Sequence, residues 1–248
     1  MLTIDIGNTH INWAIWNDDR IDLAGCVAYS KQEPDKAFTA WRDVRPEKLV
    51  MVACVAGKAV EHALRQWMQT HWSVEPRFLR STAQLMGVTN AYADPARYGV
   101  DRWAALIAAH SLYSDPVCII DAGTAITVDL MDADGRHKGG RILPGLRMMR
   151  EALLRGTEGI SETDGKLTDF ADNTADAVCS GTLHMLMAAL GEVCDSAVRH
   201  LGSNMKIIIT GGMSEQIMSM HGLPDMLHEP DLVLIGLHSA ALTGDAGS

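Results

Sequence analysis

The feature that most constrains this chain is a short turn written twice. One apolar strand runs into Asp5-Ile6-Gly7-Asn8-Thr9, and another runs into Asp121-Ala122-Gly123-Thr124-Ala125. In each case a strand-like run follows, so each turn reads as the tip of a hairpin. Glycine lets the backbone approach a ligand closely. Asn8, Thr9 and Thr124 add side-chain donors beside the turn's N–H groups, and such a concavity suits phosphate oxygens. Asp5 and Asp121 repel phosphate, so the task that fits them is to face a cation or the waters of hydrated Mg²⁺. One such turn is as often a plain hairpin. Two, each on the first strand of a similar unit, favour phosphate binding.

Hydrophobic periodicity supports a duplicated α/β unit. The first half reads as strands over 2–6, 11–16 and 21–29, a helix over 35–44, a buried strand over 49–55, a helix over 58–71, a strand over 74–79 and a helix over 102–113. The second half reads as strands over 117–120, 125–131 and 137–142, with a hairpin turn at Asp134-Gly135. A helix over 146–154, a Gly/Asp/Thr-rich loop over 156–172, a helix over 174–201, a strand over 206–209 and helices over 213–220 and 232–242 complete it. The boundary is expected at Asp115-Pro116, giving domains 1–115 and 116–248 that face each other across a cleft.

Composition narrows the class. Of 248 residues 47% are apolar and 21% charged, as in globular proteins, and the formal net charge of −10 disfavours a broad nucleic-acid or anionic-membrane surface. The five cysteines form no Cys-x-x-Cys pair, which fits reduced thiols in a cytoplasmic protein. Met1-Leu-Thr-Ile-Asp5 lacks a basic region and is not expected to be a signal peptide. No membrane span is expected. No P-loop and no protein-kinase signature is present.

Four further motifs carry chemistry. Asn90 to Trp103 ends in Gly99-Val100-Asp101-Arg102 at a helix start. Asp101 is a first-turn acid there, or a base that accepts the proton of a hydroxyl attacking a phosphoryl group. Arg102 is suited to a bidentate contact with a carboxylate. Gly139-Gly140-Arg141-Ile142-Leu143-Pro144-Gly145 closes a strand and opens a helix, either as an ordinary connection or as a cleft wall. Asn173 and Thr174 are alternative N-caps for the long helix, with a ligand-facing hydroxyl as the other role for Thr174. Thr210-Gly211-Gly212 is a strand–glycine–helix junction, where an anion or a flat nucleotide can approach the backbone.

In this order the motifs resemble the type III pantothenate kinases of the acetate and sugar kinase superfamily, which includes actin. The resemblance rests on Asp5 to Thr9, Asn90 and Tyr92, Gly99 to Trp103, Asp121 with Gly123 and Thr124, Gly139 to Gly145, Asn173-Thr174 and Thr210 to Gly212, and so spans nearly the whole chain. It implies two ribonuclease-H-like (actin-like ATPase) domains flanking a nucleotide cleft. It implies transfer of the ATP γ-phosphoryl group to the pantothenate 4′ hydroxyl, the first step of coenzyme A synthesis. By resemblance, Asp5, Ile6, Gly7, Asn8, Thr9, His10, Ile11, Asn12 and Thr124 hold ATP. Asp101 is the general base, and Tyr92, Gly99, Val100, Asp101, Arg102 and Thr174 hold pantothenate. Asp121 binds a monovalent cation, K⁺ or NH₄⁺, while Mg²⁺ accompanies ATP, with Asp5 facing it through water. The family is homodimeric, with the pantothenate pocket at the dimer interface. Many members carry lysine where this chain has Asn12, with His10 and Arg147 as substitute cations. A sugar kinase or polyphosphate phosphatase of the same superfamily and a non-enzymatic accessory regulator of transcription are the alternative readings.

Overall fold

The computed structural model describes residues 1–41, 44, 49–161 and 164–243. In chain order the elements are β1 (Leu2–Ile6), β2 (His10–Asn17), β3 (Arg20–Ala28), α1 (Asp35–Phe38), β4 (Val50–Cys54), α2 (Lys58–Trp72), β5 (Arg77–Phe78), β6 (Gln84–Leu85), β7 (Val88–Thr89), α3 (Val100–Leu112), β8 (Val117–Ala122), β9 (Ala125–Met131), β10 (His137–Pro144), α4 (Leu146–Gly156), α5 (Thr174–Leu201), β11 (Lys206–Thr210), α6 (Ser214–Met218), β12 (Leu227–His228) and α7 (Leu232–Leu242).

Two five-stranded sheets share one topology. Their orders are β3-β2-β1-β4-β5 and β10-β9-β8-β11-β12. In the first, β1 pairs antiparallel with β2 and parallel with β4. In the second, β8 pairs antiparallel with β9 and parallel with β11. The central strands are apolar because both faces are covered; every residue of β4 is buried. Asp5 and Asp121 occupy the same place, one residue before the end of β1 and of β8.

The chain divides into two compact units, and the division is not a single cut. The first unit takes Met1–Ser114, Ala133–Lys138 and the segment from Asp231 onward; the second takes Asp115–Asp132 and Gly139–Pro230. The last helix therefore belongs with the first unit, not with the 116–248 domain expected from the sequence. The cause is packing. α7 is apolar on all sides and lies along α3 and against β1, β2 and β4. His238 stacks on Trp16 with ring centroids 4.1 Å apart and donates Nε2–H to the Asp18 carbonyl at 2.9 Å.

Other boundaries shift for local reasons. The helix expected over 35–44 is the short α1 followed by a 3₁₀ turn, Thr39–Trp41. Phe38 and Trp41 drop into the first core against Trp67. Residues 42–43 of that stretch lie outside the described residues. Only Arg77–Phe78 of the 74–79 strand pairs, against β4. The hairpin β6–β7 and the edge strand β12 were not expected; each strand has two residues, too few for a periodic signal.

Helix α5 is long and apolar enough to cross a membrane by length and composition, which the sequence reading did not expect. Its apolar residues Leu186, Leu190, Val193, Cys194 and Ala197 lie in the second core with Cys118, Ile120 and Val128 of the sheet. That packing accounts for them as the core helix of a globular unit.

Candidate functional site

In the first unit the β1–β2 hairpin builds a turn. The Gly7 N–H donates to the His10 carbonyl at 3.0 Å, and Asp5 stands directly opposite Asn12. Asn12 Nδ2 donates to Asp5 Oδ2 at 3.3 Å. The side chains of Ile6 and Ile11 are fully buried in the core, so only their backbone groups can meet a ligand. Asn8 and His10 are exposed, and Thr9 Oγ1 shares a 3.0 Å hydrogen bond with His10 Nδ1. The chain leaving β3 braces the turn. The Tyr29 N–H donates to the Thr9 carbonyl at 3.0 Å, and Tyr29 Oη donates to the Gly7 carbonyl at 2.8 Å. Lys31 Nζ donates to Asn8 Oδ1 at 2.6 Å. Burial, with smaller contributions from Cys54 and Asp5, pushes the Tyr29 phenol up to about 12.

Also in this unit, Gly99 caps α3, so Val100, Asp101 and Arg102 form its first turn. Asp101 Oδ1 accepts the Arg102 N–H at 2.7 Å. This is the helix-start role, and it also fixes the carboxylate's direction. A Cβ at position 99 would lie 2.6 Å from that oxygen, so Gly99 leaves room for it. Arg102 is buried. Its guanidinium carbon lies 4.6 Å from the centre of the Tyr98 ring, and Nη1 donates to Tyr92 Oη at 3.4 Å. His137 joins them, 4.9 Å from Tyr98 and 6.3 Å from Tyr92 by ring centroids. A half-exposed Tyr92 above a buried, ring-stacked guanidinium can hold a small polar anion with an apolar body.

In the second unit two separate motifs converge on the β8–β9 turn. Thr210 pairs with Asp121 across the sheet, and the Met213 N–H donates to the Ala122 carbonyl at 3.0 Å. Gly211 sits at φ +88°, and a Cβ there would come within 2.5 Å of Asp121 Oδ1. Only glycine satisfies both the positive φ and that approach. A Cβ at Gly145 would meet the Thr124 carbonyl at 2.5 Å and the Gly123 carbonyl at 3.0 Å. Gly211 and Gly145 thus let the chain approach closely the Asp121 carboxylate and the Gly123 and Thr124 carbonyls of the turn. This donor set suits a hard cation.

At the start of α5, Asn173 is the N-cap; its Oδ1 accepts the Asp176 N–H at 2.9 Å. Thr174 is released from capping and lines a cavity of about 680 Å³ with Leu153, Asp172, Thr182 and Met185. Arg147 lies on α4 beside Glu151 at 3.5 Å.

A sequence model of the type III pantothenate kinase family matches residues 1–196. The chain belongs to the type III pantothenate kinase family. A type III pantothenate kinase of Nitrosococcus oceani is 37% identical over 97% of this chain and 93% of its own length. One from Halorhodospira halophila is 34% identical over 95% of each. Among solved structures, a Campylobacter jejuni protein described as a Baf family transcriptional activator superposes with a TM-score of 0.60 at 19% identity, covering 98% of each chain. A Streptomyces griseus ROK family glucokinase superposes at 0.53 and 12% identity, covering 97% of this chain and 98% of its own. At such identities the structures show the fold: the two-domain actin-like ATPase architecture.

As a type III pantothenate kinase, the chain carries its expected residues in separate groups. Asp5 to Asn12, and Tyr92 with Gly99 to Arg102, lie in the first unit; Asp121, Thr124 and Thr174 lie in the second. Of the cations considered in place of lysine at position 12, His10 is bonded to Thr9, and Arg147 is on the second unit. Sequence reasoning missed Tyr29, Lys31, Tyr98 and His137. Tyr29 ends the strand read from the sequence, but Lys31 lies in the turn after it, and nothing in the pattern pointed either side chain at the hairpin tip. Tyr98 and His137 had no signal, since their contact joins segments far apart in sequence.

Proposed function

We propose that the protein phosphorylates pantothenate on its 4′ hydroxyl with ATP, opening coenzyme A synthesis. Family membership over most of the chain carries this reading, and the Tyr92–Arg102–Asp101 group supports it in chemistry. Arg102 holds the pantothenate carboxylate, with Tyr92 and Gly99 to Val100 along the molecule and Thr174 as a further hydroxyl contact. Asp101 accepts the proton of the 4′ hydroxyl as that oxygen bonds to the γ-phosphorus. The bond from the γ-phosphorus to the bridging oxygen breaks, and ADP leaves with the electron pair. The Asp5 to Asn12 turn and Thr124 hold phosphate oxygens and orient them, so most of the catalysis is positioning and electrostatics.

A kinase of this kind uses ATP with a divalent metal, and Asp5 would hold that metal through its hydrating water. Asp121 with the turn carbonyls would hold K⁺ or NH₄⁺. When bound, these cations neutralise phosphate charge. The protein acts as a homodimer in the cytoplasm.

The test is an ADP-release assay with ATP and Mg²⁺, with and without pantothenate, in potassium and in sodium buffer. ADP release that requires pantothenate supports the reading, and a further requirement for potassium supports the monovalent site. Folded protein that releases no ADP under any of these conditions overturns it.

A further inference from the structure

Lys31 lies outside every motif singled out from the sequence, yet the structure ties it to the β1–β2 turn. An exposed lysine ordinarily leaves its ammonium in water and keeps its rotamer freedom. Here Nζ reaches Asn8 Oδ1 at 2.6 Å across 23 positions of sequence. The placement is not isolated. Two residues earlier, Tyr29 bonds the turn on either side of Asn8, through its N–H to Thr9 and its hydroxyl to Gly7. Lys31 follows in a turn closed by the Glu33 N–H donating to the Ser30 carbonyl at 3.1 Å, and the segment past β3 brings both Tyr29 and Lys31 to the same hairpin tip. Tyr29 anchors the backbone, and Lys31 brings the charge.

That charge has no carboxylate partner at Asn8. The amide oxygen takes one of the three ammonium donors and leaves its formal charge uncompensated. The rest of the turn offers little positive charge. His10 bonds Thr9, and Asn12 is neutral and bonded to Asp5, whose carboxylate sits at the base of the same hairpin. A turn whose N–H groups receive a polyphosphate, with a carboxylate beneath it in a chain of net charge −10, needs a cation.

We propose that Lys31 is a nucleotide-binding residue of this enzyme: its ammonium, seated on Asn8, contacts the phosphate chain of the nucleotide at the β1–β2 turn. This rests on the ATP reading of that turn given above. The charge, rather than the hydrogen bond to Asn8, is the functional part, and substitutions can separate the two.

The experiment is steady-state kinetics on the full-length enzyme, varying ATP and pantothenate separately, with Mg²⁺·ADP binding measured by calorimetry. Lys31→Gln keeps a donor for Asn8 and removes the charge. Its KM for ATP should rise, and its Mg²⁺·ADP affinity fall, by about tenfold or more, as for loss of one charge-assisted hydrogen bond. Its KM for pantothenate and its melting temperature should stay at wild-type values. Lys31→Arg should restore nucleotide affinity to within about threefold, the charge being kept. Lys31→Gln with unchanged nucleotide parameters overturns the assignment while the ATP reading stands. So does a rise in both KM values together with a lower melting temperature, which marks a brace for the turn. A wild-type enzyme that binds no Mg²⁺·ADP and releases no ADP overturns the ATP reading, and this assignment with it.

Discussion

Asp101 tests whether a residue can start a helix and do chemistry at once. Its Oδ1 accepts the Arg102 N–H at 2.7 Å, a bond that asparagine can also accept. Asp101→Asn therefore keeps the start of α3 and removes the basic oxygen. Turnover should fall by about 10²–10⁴-fold, the usual contribution of a general base, while pantothenate still binds. Wild-type turnover in the variant would show that the proton goes elsewhere. Tyr29 gives a test that does not depend on activity. An unperturbed phenol titrates near 10. Burial raises the folded value to about 12, so the neutral form is favoured in the folded protein. The stability this contributes is fully present below about pH 10 and is lost as pH rises through about 12. In an absorbance titration of the four tyrosines, Tyr29→Phe should lower the late-ionising amplitude by one phenol. An unchanged late amplitude, with loss of an ordinary step instead, would overturn the raised value for Tyr29.

Among elements, the sequence was most legible where burial is two-sided or one helical face is apolar. β1, β4, β8 and α5 read directly as continuous apolar runs or helical stripes. The paired Asp-x-Gly turns were legible for the same reason, because each follows such a run. What could not be read were contacts closed by the fold. The convergence of Gly145 and Gly211 on the β8–β9 turn, the seating of Lys31 on Asn8 and the docking of α7 on α3 all join distant segments. That last contact can be tested. A Cβ at Gly236 of α7 would overlap the backbone carbonyl of Ala104 in α3. By propensity alone, Gly→Ala within a helix is stabilising by about 1 kcal/mol. Here overpacking reverses the sign, and Gly236→Ala should destabilise on the order of 1–3 kcal/mol. A lowered urea midpoint checks this, whereas a raised one would mean that α7 does not pack so closely.

At the scale of the molecule, the exposed apolar residues of the second unit bear on assembly. Met185 is 56% exposed and Phe170 is 99% exposed, the first lining the cavity beside Thr174 and the second next to its wall residue Ala171. Large exposed apolar side chains grouped around a cavity mark contact surfaces. If this surface forms the proposed homodimer, Met185→Glu should shift the mass measured by light scattering after gel filtration from dimer toward monomer. A wild-type monomer at micromolar concentration would remove the dimer reading, and a dimeric variant would move the interface elsewhere.

The return of α7 to the first unit also sets an order of events during synthesis. Domains commonly fold from the N-terminus as the chain emerges from the ribosome. Here the flank of α3 stays uncovered until α7 has been made, because the residues that cover it follow the whole of the second unit in the chain. The first unit can begin to fold early but is completed only after the second unit has been made. A chain cut short between residues 139 and 231 would lack the helix that finishes the first unit, although every strand of its five-stranded sheet would be present.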